Sequence, residues 1–486
     1  MNKLLSKLLI SLIVFMALIM FVGCKKEEPK VPTEPKKTKT AELVLEVPAD
    51  FKIEGTILSF KEVEGASKYR IEITEVNTTN VIKRIITNNV DLNTLNIPEG
   101  DYMIKIQACN DNLTITSEFS SELSYKQADL YAVNDIKGLD LISDQFVKWM
   151  GRYSFNETTL KNTLYYSASG FSVRVKKLDE PLSVYVKLDA TNSNVNDKRP
   201  YLVAVLDDDF ENVITYPISS PSVELEIVGG DALQINDEEI HTVSLYKRTE
   251  SIDSHISIEE IRTTGKFIEG VTYKDRKIEV IAASSSTGYG NLGNSTQTKN
   301  TSNSDALKAF AFLSAQELNS EINIVSASGW GIYASRWTSP NTLNMRDKYK
   351  YVDVFSSEVW DTTKYIPDVI VTNFGTNDLS YINIASTPKE KEERISNFKS
   401  YYVNFLIELN HTYPNAQLII LYGLMQESGI YEYTEEIYEE AVKTIPNLKI
   451  IKILGDAAGC NSHPSAASHK AIAKTLSDFI KETMNW

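Results

Sequence analysis

Residues 41–268 contain many short runs in which apolar and polar residues alternate. Such alternation has a period of two and is typical of strands with one buried face. Runs of this kind predict a first β-sandwich over residues 41–128, with strands near residues 58–60, 69–73 and 102–106. They predict a second sandwich, or a jelly roll of about eight strands, over residues 129–268, with strands near 171–175, 184–188, 202–206, 223–228 and 241–246.

From residue 269 to 486 the pattern changes to apolar strands that alternate with helical segments. The strands are predicted at residues 278–282, 322–325, 368–372, 417–421 and 448–454. Thr387, Pro388 and Glu390 form a capping box with proline at the first helical position, and a last helix is predicted to begin near Pro464. We therefore predict an α/β domain whose parallel sheet is covered by helices on both faces, with ligands bound at the carboxyl ends of its strands.

The N-terminus has the pattern of a secretory signal. Lys3 and Lys7 precede an apolar run over residues 8–22, which ends in Gly23-Cys24. The ending resembles a bacterial lipobox, so residues 1–23 are predicted to be a lipoprotein signal peptide with Cys24 as the lipidated residue. Residues 24–40 are charged and proline-rich and are predicted to be a linker. An uncleaved anchor helix is the alternative; both hypotheses place the bulk of the protein outside the cytoplasm, tethered to a membrane.

Composition excludes several classes of function. The chain of 486 residues carries 50 Lys and Arg against 65 Asp and Glu, a formal charge of -15, so nucleic acid is not an expected partner. Three cysteines cannot build a disulfide scaffold or a multi-cysteine zinc site. Asp207, Asp208 and Asp209 are adjacent but have no second acidic cluster at ligand spacing, so they predict a turn rather than a calcium site.

The first sandwich resembles a fibronectin type III module. The resemblance rests on the segment from Gly65 to Tyr69 and on Pro98-Glu99-Gly100-Asp101-Tyr102, which places a tyrosine just after a turn as a tyrosine corner does. Phe60 stands where such modules usually carry Trp. A spacer that holds the next unit off the membrane is the simpler role, and ligand binding is the alternative.

Four polar segments follow predicted strands of the α/β domain. Ser284 emerges where the strand at 278–282 ends, which is where a nucleophile is held, although a polar loop is the plainer interpretation. Gly329 and Gly331 follow the next strand and allow a backbone N–H to approach a ligand closely. Asn377 follows the third strand, and His463 precedes the last helix, where a capping or surface role is the default. Because these strand ends share one edge, the four segments are predicted to lie together.

In this order the segments resemble the SGNH, or GDSL-like, hydrolase superfamily, which is named for its Ser, Gly, Asn and His. The pairing with a jelly roll more specifically resembles carbohydrate esterase family two. That resemblance runs from about Trp149 to Phe479 and includes the segments 241–250, 360–368 and 375–378. It implies an ester hydrolase, similar to acetylxylan esterases, that acts on O-acetylated sugars or polysaccharides with no metal or organic cofactor.

The resemblance also implies a role for each residue. Ser284 would be the nucleophile and His463 the general base, while Asn377 and the backbone N–H groups of Gly329 and Ser284 would form the oxyanion hole. Gly331 is the alternative to Gly329.

Three positions depart from the family pattern. Ala283 replaces the usual Asp before the nucleophile, and Asn461 replaces an Asp two residues before the histidine. Ser462 replaces an aromatic residue that stacks on sugar in some members; Trp330 or Trp337 could serve instead, although core packing is the more common role of Trp.

These observations together predict an exported, lipid-anchored carbohydrate acetylesterase that works through a Ser-His dyad, with Asn461 as a possible orienter of the histidine. A non-catalytic glycan-binding surface lipoprotein is the alternative suggested by Ala283 and Asn461. Adhesion through residues 41–128 is a third hypothesis.

Overall fold

The structure, a computed structural model, describes residues 44–77, 81–95, 97, 100–111, 113–127, 132–143, 145–178, 181–270, 273–338 and 343–486. The predicted signal peptide, the linker and Cys24 lie outside these residues. Among the residues that are described, no helix is both long enough and apolar enough to cross a membrane.

Residues 44–127 form two antiparallel sheets around one core. The first sheet has the strand order β1-β2-β5 and the second the order β4-β3-β6-β7. Leu58 of the first sheet and Ile71 and Ile104 of the second are fully buried in the shared core. The strands are β1 (Lys52–Glu54), β2 (Ile57–Ser59), β3 (Lys68–Glu75), β4 (Val81–Ile86), β5 (Val90–Asp91), β6 (Gly100–Cys109) and β7 (Leu123–Gln127).

The two residues expected to anchor a fibronectin-like core are both buried here. Phe60 is 9 % exposed and its ring centroid lies 4.3 Å from that of Tyr69, while Tyr102 is 3 % exposed. Pro98 and Glu99, which begin the predicted tyrosine corner, lie outside the described residues. The fibronectin type III assignment therefore stays a prediction.

Residues 132–268 form a second all-β unit with eleven strands in one network of antiparallel pairs. They are β8 (Ala132–Lys137), β9 (Val147–Met150), β10 (Tyr153–Asn156), β11 (Lys161–Leu164), β12 (Gly170–Lys176), β13 (Val184–Ala190), β14 (Tyr201–Leu206), β15 (Ile214–Pro217), β16 (Ser222–Val228), β17 (Ile240–Lys247) and β18 (Ile256–Ile268). The expected number of about eight was wrong, because β9, β10, β11 and β15 have only four residues each. Four residues are too few to show a clear alternation.

The long strand β18 organises this second unit. It has 13 residues and pairs along its length with β8, β11, β12 and β13. Val173, Leu188, Val243 and Ile261 from four different strands are fully buried in the core that results. The turn after β14 contains Asp207 and Asp208, as the sequence predicted. Both residues have positive φ. Whether the topology is that of a jelly roll stays a prediction.

The third unit is an α/β layer built on a five-stranded parallel sheet of order β20-β19-β21-β22-β23. Its strands are β19 (Arg276–Ala282), β20 (Ser320–Ser326), β21 (Val369–Asn373), β22 (Gln417–Tyr422) and β23 (Lys449–Lys452). Its helices are α1 (Phe310–Glu317), α2 (Met345–Lys348), α3 (Thr376–Ile382), α4 (Pro388–Thr412), α5 (Tyr431–Ala441) and α6 (Ala466–Met484).

Both faces of the parallel sheet are covered by helices, which confirms the prediction. On one face Val280 and Ile324 pack with Leu476 of α6, and on the other Ile281 and Val325 pack with Phe398 of α4. Strands buried on both faces explain why the sequence shows continuous apolar runs here rather than alternation.

The helix boundaries follow their capping residues. The Thr387 hydroxyl accepts the backbone N–H of Glu390 at 3.1 Å, and α4 begins at Pro388, as predicted. Helix α6 begins at Ala466, two residues beyond the predicted Pro464, because the Ser465 side chain caps it by accepting the N–H of Ser468.

Buried polar contacts join the second unit to the third. Arg152 and Glu279 are both almost fully buried, and their charged atoms lie 3.5 Å apart. Lys148 Nζ lies 2.6 Å from Glu321 Oε1 at the amino-terminal edge of the parallel sheet. These contacts fix the second unit against the parallel sheet, so that residues of both units can lie near one site.

Candidate active site

Ser284 lies directly beyond the carboxyl end of strand β19, which pairs with β20 on one side and β21 on the other. A 3-10 turn over Ser284–Thr287 follows the strand and ends at Gly288, which has φ of 70°. A Cβ atom at Gly288 would lie 2.1 Å from the carbonyl oxygen of Asp305, so only glycine fits this close approach. Ser284 is half-buried, whereas Ser286 is fully buried and its hydroxyl bonds Ser326 Oγ at 2.7 Å. The turn thus leaves the Ser284 side chain partly accessible and buries the side chains of Ser285 and Ser286.

His463 contacts the Ser284 hydroxyl. Its Nε2 atom lies 2.7 Å from Ser284 Oγ, which is within hydrogen-bond distance for proton transfer. The loop of His463 is held against the loop of Ser284, because the Cys460 N–H donates to the Gly290 carbonyl at 3.0 Å. A Cβ atom at Gly290 would lie only 2.3 Å from Cys460 Cβ. The two loops therefore approach each other as closely as glycine allows.

Backbone carbonyl groups orient the His463 ring. Nδ1 lies 3.1 Å from the carbonyl oxygen of Cys460 and 3.2 Å from that of Asn461. A carbonyl oxygen can only accept, so the proton is on Nδ1 and Nε2 accepts from the Ser284 hydroxyl. Asn461 and Ser462 have φ of 50° and 59°, a left-handed conformation that is unusual for two successive residues with side chains. This turn aims the carbonyls at the imidazole.

The Asn461 side chain contacts another group. Its Nδ2 atom donates to the hydroxyl oxygen of Tyr289 at 2.9 Å, and no bond joins it to His463 among the described residues. The Tyr289 ring stacks on the His463 ring, with centroids 4.2 Å apart and planes inclined by 27°. Asn461 thus contacts the base through its carbonyl group, while its amide anchors the ring that supports the base.

Burial lowers the pKa of His463 below its ordinary value of 6.5. The carbonyl groups of Asn461 and Cys460 and the negative charge of Glu250 oppose this lowering, while the positive charge of Lys299 adds to it. The imidazole is therefore neutral near pH 7 and can accept a proton.

Asn377 and Gly329 lie at the strand ends on either side of Ser284. Asn377 is at the start of α3 and its Nδ2 atom donates to the Trp330 carbonyl at 2.8 Å, which leaves the second amide hydrogen available. Asn377, Ser284 and Trp330 line one small pocket. Gly329 has φ of 80°, and its N–H and that of Ser284 donate to no other described residue. These three groups therefore have donor hydrogens available at neighbouring strand ends.

Gly331 is part of a tight turn. A Cβ atom there would lie 2.1 Å from the Ala334 carbonyl oxygen and 2.5 Å from Asp378 Oδ1. The buried Asp378 carboxylate accepts the backbone N–H groups of Ile332, Tyr333 and Ala334. Burial raises the pKa of Asp378 to about 6, although these three bonds oppose the rise. The need for glycine at 331 therefore has a packing explanation.

The two tryptophans near the site differ in exposure. Trp330 is 4 % exposed and belongs to the core, so it offers no free ring face. Trp337 is 66 % exposed, and a Cβ atom at Gly329 would lie 3.7 Å from its Cδ1 atom. The Arg336 guanidinium lies 4.4 Å from the Trp337 ring centroid. Of this pair, only Trp337 can present a ring to a ligand.

The pocket beside Ser284 is small. It holds about 20 Å³, whereas a cavity of about 500 Å³ lies at the opposite edge of the sheet, between the second and third units. None of the predicted site residues lines the larger cavity. Within the described part of the chain, no three His, Cys, Asp or Glu residues are grouped so that they could hold a metal ion.

Comparison with known proteins points to one group of enzymes. No family model matches the chain. In sequence the chain is 28 % identical over 288 residues to the cellulase/esterase CelE of Acetivibrio thermocellus. This alignment covers 56 % of the present chain and 33 % of the relative. The chain is 24 % identical over 255 residues to an acetylxylan esterase / glucomannan deacetylase of Cellvibrio japonicus. That alignment covers 51 % of this chain and 68 % of the relative. The chain thus matches about a third of the length of the first relative.

Solved structures give the same answer for the fold. A family two carbohydrate esterase from Clostridium thermocellum, in complex with cellohexaose, superimposes with a TM-score of 0.59 at 22 % identity. The match covers 70 % of this chain and 99 % of that one. An acetyl xylan esterase from the rumen bacterium Butyrivibrio proteoclasticus gives a TM-score of 0.61 at 19 % identity, covering 73 % of this chain and all of that one. The fold is that of the family two carbohydrate esterases. The predicted resemblance is therefore confirmed.

Compared with the sequence expectation for a family two carbohydrate esterase, the structure adds three residues beside the site. Tyr289, Glu250 and Lys299 all lie near His463 or the Gly329 loop. Tyr289 stands five residues after Ser284, and Glu250 ends the segment 241–250 on which the resemblance partly rests. No sequence motif assigned a role to Tyr289, Glu250 or Lys299, because the residues that they contact lie far away in the sequence.

Proposed function

We propose that this chain is an exported, lipid-anchored carbohydrate esterase that removes O-acetyl groups from sugars or polysaccharides. The observation that supports this proposal most is the 2.7 Å distance between Ser284 Oγ and His463 Nε2 at a strand end flanked by Asn377. A serine hydroxyl needs an adjacent base to attack an ester, and the tetrahedral oxyanion needs donors that are already in place.

In the first half of the reaction, Ser284 Oγ attacks the acetyl carbonyl carbon while its proton passes to His463 Nε2. The carbonyl oxygen becomes an oxyanion, which the N–H groups of Ser284 and Gly329 and the Asn377 amide stabilise. Each such donor contributes about 3 kcal/mol to transition-state stabilisation. His463 then gives the proton to the sugar oxygen as the carbon–oxygen bond breaks, which releases the sugar hydroxyl and leaves Ser284 acetylated.

In the second half, water takes the place of the sugar. His463 accepts a proton from the water as its oxygen attacks the acetyl carbon, and the same donors hold the oxyanion. The proton then returns to Ser284 Oγ as acetate leaves, so the enzyme is regenerated and one water is consumed for each ester bond.

The dyad works here without a carboxylate on Nδ1. In a Ser-His-Asp triad the carboxylate fixes the tautomer and stabilises the imidazolium. The carbonyls of Cys460 and Asn461 supply the first of these effects, since they accept from Nδ1. Burial keeps the His463 pKa low, so the base stays neutral and active at mildly acidic pH.

Two observations favour a small acyl group on a sugar. The pocket of about 20 Å³ beside Ser284 has about the room needed for one water molecule or a methyl group. Exposed Trp337 offers an aromatic face next to the Gly329 loop, which suits the apolar face of a sugar ring. The relatives named as acetylxylan esterases and glucomannan deacetylases support polysaccharide acetyl groups as the substrate class.

The cellular location and the domain boundaries belong to the same proposal. Residues 1–23 direct export, Cys24 carries lipid, and residues 24–40 act as a spacer. Residues 41–128 then separate the esterase from the membrane, while residues 129–268 and 269–486 form the sandwich and the catalytic domain. The sequence pattern of Lys3, Lys7, the apolar run and Gly23-Cys24 supports this arrangement.

Acetate release tests the proposal. The full chain is incubated with p-nitrophenyl acetate, acetylated xylan and acetylated glucomannan, beside the Ser284→Ala and His463→Ala variants. We expect acetate from wild type and at least a thousandfold slower release from either variant. Absence of acetate from every substrate would favour the alternative, a non-catalytic glycan-binding lipoprotein, for which binding of the same glycans without turnover is the expected behaviour.

A further inference from the structure

A buried ion pair lies beside the candidate site, where the second unit meets the third. Glu250 follows strand β17 and its side chain is 2 % exposed; Lys299, in the loop after the Ser284 turn, is 10 % exposed. Lys299 Nζ lies 3.1 Å from Glu250 Oε1 and 2.5 Å from Asp253 Oδ2. Buried charges are costly unless they are paired, so the Lys299 ammonium and the Glu250 carboxylate each stabilise the charged form of the other.

The second oxygen of Glu250 holds the loop that carries Gly329. Glu250 Oε2 accepts the backbone N–H of Ser328 at 3.0 Å. The next N–H along the chain is that of Gly329, whose φ is 80° and whose N–H is a proposed oxyanion donor. Glu250 therefore fixes the direction of the peptide that leads into the oxyanion hole.

Lys299 lies against the ring that supports the base. Its Nζ atom is 5.5 Å from the centroid of the Tyr289 ring, a cation–π distance, and Tyr289 stacks on His463 at 4.2 Å. The Tyr289 hydroxyl accepts from the Asn461 amide, which lies in the His463 loop. One ion pair is thus connected to the base through Tyr289 and to the oxyanion loop through Ser328.

We propose that Glu250 and Lys299 are positioning residues for the esterase reaction, with the sandwich supplying the carboxylate that couples the oxyanion loop to the general base. This inference rests on the proposed function. Neither side chain contacts the Ser284 hydroxyl or the reacting atoms. Their role is to hold Gly329 and His463 in one geometry, and to set the electrostatic potential at the imidazole.

The charged and titratable groups around His463 come from three elements. Glu250 stabilises the imidazolium form and Lys299 disfavours it, although burial is the largest cause of the low His463 pKa. Tyr289 lies on one face of the ring. Burial lowers the pKa of His469 of α6 to about 4; the charge of His463, when it is protonated, adds to this lowering, and the negative charge of Asp456 opposes it. Around the pair itself, burial raises the pKa of Asp253 to about 6 and lowers that of Lys247 to about 7.

The pH dependence of kcat/KM separates positioning from a merely structural role. The acidic limb of the profile reports the pKa of the base in the free enzyme. In Glu250→Gln the imidazolium loses the negative charge of Glu250 while Lys299 keeps its positive charge, so we expect the acidic limb to move to lower pH. In Lys299→Gln the negative charge of Glu250 is no longer balanced by Lys299 and favours the imidazolium form of His463. We therefore expect the acidic limb to move to higher pH. We also expect kcat to fall about tenfold in both, with KM changed less than about twofold.

Two variants serve as controls. Lys299→Arg keeps the charge and should leave the limb at its wild-type position. Glu321→Gln breaks a comparable ion pair between the same two units, with Lys148 at 2.6 Å, but at the opposite edge of the sheet. It should leave the pH profile and kcat unchanged. Limbs that move in the same direction in Glu250→Gln and Lys299→Gln, or that do not move, would overturn the proposal.

A second readout does not depend on turnover. The His463 imidazole is titrated by NMR in the full chain, and the same opposite displacements of its pKa are expected in the two variants. A wild type that shows no esterase activity but gives these displacements would contradict the proposed function and leave the coupling standing. Active wild type with no displacement would overturn the coupling alone.

The double variant keeps the proposal testable if Glu250→Gln or Lys299→Gln alone fails to fold. Glu250→Gln/Lys299→Gln removes both charges of the pair, and the Asp253 carboxyl that also bonds Lys299 can become protonated, since burial raises its pKa to about 6. The double variant should therefore fold where a single variant fails. Its acidic limb should return close to the wild-type position, with kcat still about tenfold low because the Ser328 and Tyr289 contacts are weakened. Wild-type kcat in this variant, or failure of all three variants to fold, would overturn the positioning role.

Discussion

At the scale of single residues, Ser284 is distinguished from the two serines that follow it. We expect Ser284→Ala to abolish ester hydrolysis while the midpoint of thermal unfolding stays nearly unchanged, since one half-buried oxygen is removed. Ser285→Ala and Ser286→Ala are the matched controls, because both side chains are buried behind the turn and neither bonds His463. Equal loss of activity in all three variants would mean that the nucleophile is misassigned. Initial rates on p-nitrophenyl acetate and thermal melts measure both quantities.

Asn461 tests whether carbonyl groups suffice to orient the base. The best substitution is Asn461→Gly, because φ is 50° there and glycine keeps that conformation without a side chain. The carbonyl of residue 461 remains, so we expect a loss of kcat/KM below about tenfold, or about 1.4 kcal/mol. His463→Ala should lose far more. A loss in Asn461→Gly that rivals His463→Ala, with unchanged circular dichroism, would show that the amide itself orients the base.

The low His463 pKa predicts the pH profile of the wild type. The imidazole must be neutral to accept the Ser284 proton, so activity falls as pH drops through its pKa. Because burial lowers that pKa, the acidic limb of kcat/KM should lie below pH 6.5, the ordinary histidine value. A limb at or above 6.5 would indicate a base that is more exposed, or one that is paired with a carboxylate.

At the scale of elements, the contact between the Ser284 and His463 loops depends on Gly290. Its φ is 59°, and a Cβ atom would lie 2.3 Å from Cys460 Cβ, so Gly290→Ala must push the His463 loop away. We expect an unfolding free energy lower by at least about 1 kcal/mol, from backbone strain alone, and a large fall in kcat. Gly429→Ala is the control, since its Cβ would meet only Leu379 side-chain atoms at 3.5 Å. Chemical denaturation and initial rates check both outcomes.

The elements of the parallel sheet could be predicted from the sequence because each gives a strong local signal. Residues 278–282 are a continuous apolar run, and β19 covers them with two residues added at its start. Thr387 and Pro388 mark the start of α4 in the same way. The four-residue strands of the second unit, such as β10 and β15, gave no comparable signal, so the number of strands was underestimated.

The site itself could be predicted only in part. Ser284, Gly329, Asn377 and His463 each follow or precede an element at one edge of the sheet, so their proximity follows from topology. The carbonyl groups that orient His463 depend on positive φ at Asn461 and Ser462, which neither residue type requires. The Glu250–Lys299 pair joins residues 49 positions apart in two structural units, and no local pattern indicates such a contact.

At the scale of the whole molecule, the N-terminal sequence predicts where the protein resides. We expect Cys24→Ala to move the protein from the membrane fraction to the soluble fraction, or to stop its processing, because lipidation requires the cysteine sulfur. Cys109→Ala is a matched control, since that thiol is buried in the first sandwich. Unchanged fractionation of Cys24→Ala, together with no lipid mass on Cys24 of the native protein, would contradict the anchor.

The central claim is that Ser284 becomes acetylated and that His463 drives the transfer. The most direct measurement is mass spectrometry of the full chain, quenched in acid during turnover of an acetylated substrate and digested. We predict one added acetyl group on the peptide that contains Ser284, which is absent in Ser284→Ala and strongly reduced in His463→Ala. Steady acetate release with no acetyl group on Ser284 at any quench time, or acetylation that persists in Ser284→Ala with undiminished turnover, would contradict the account.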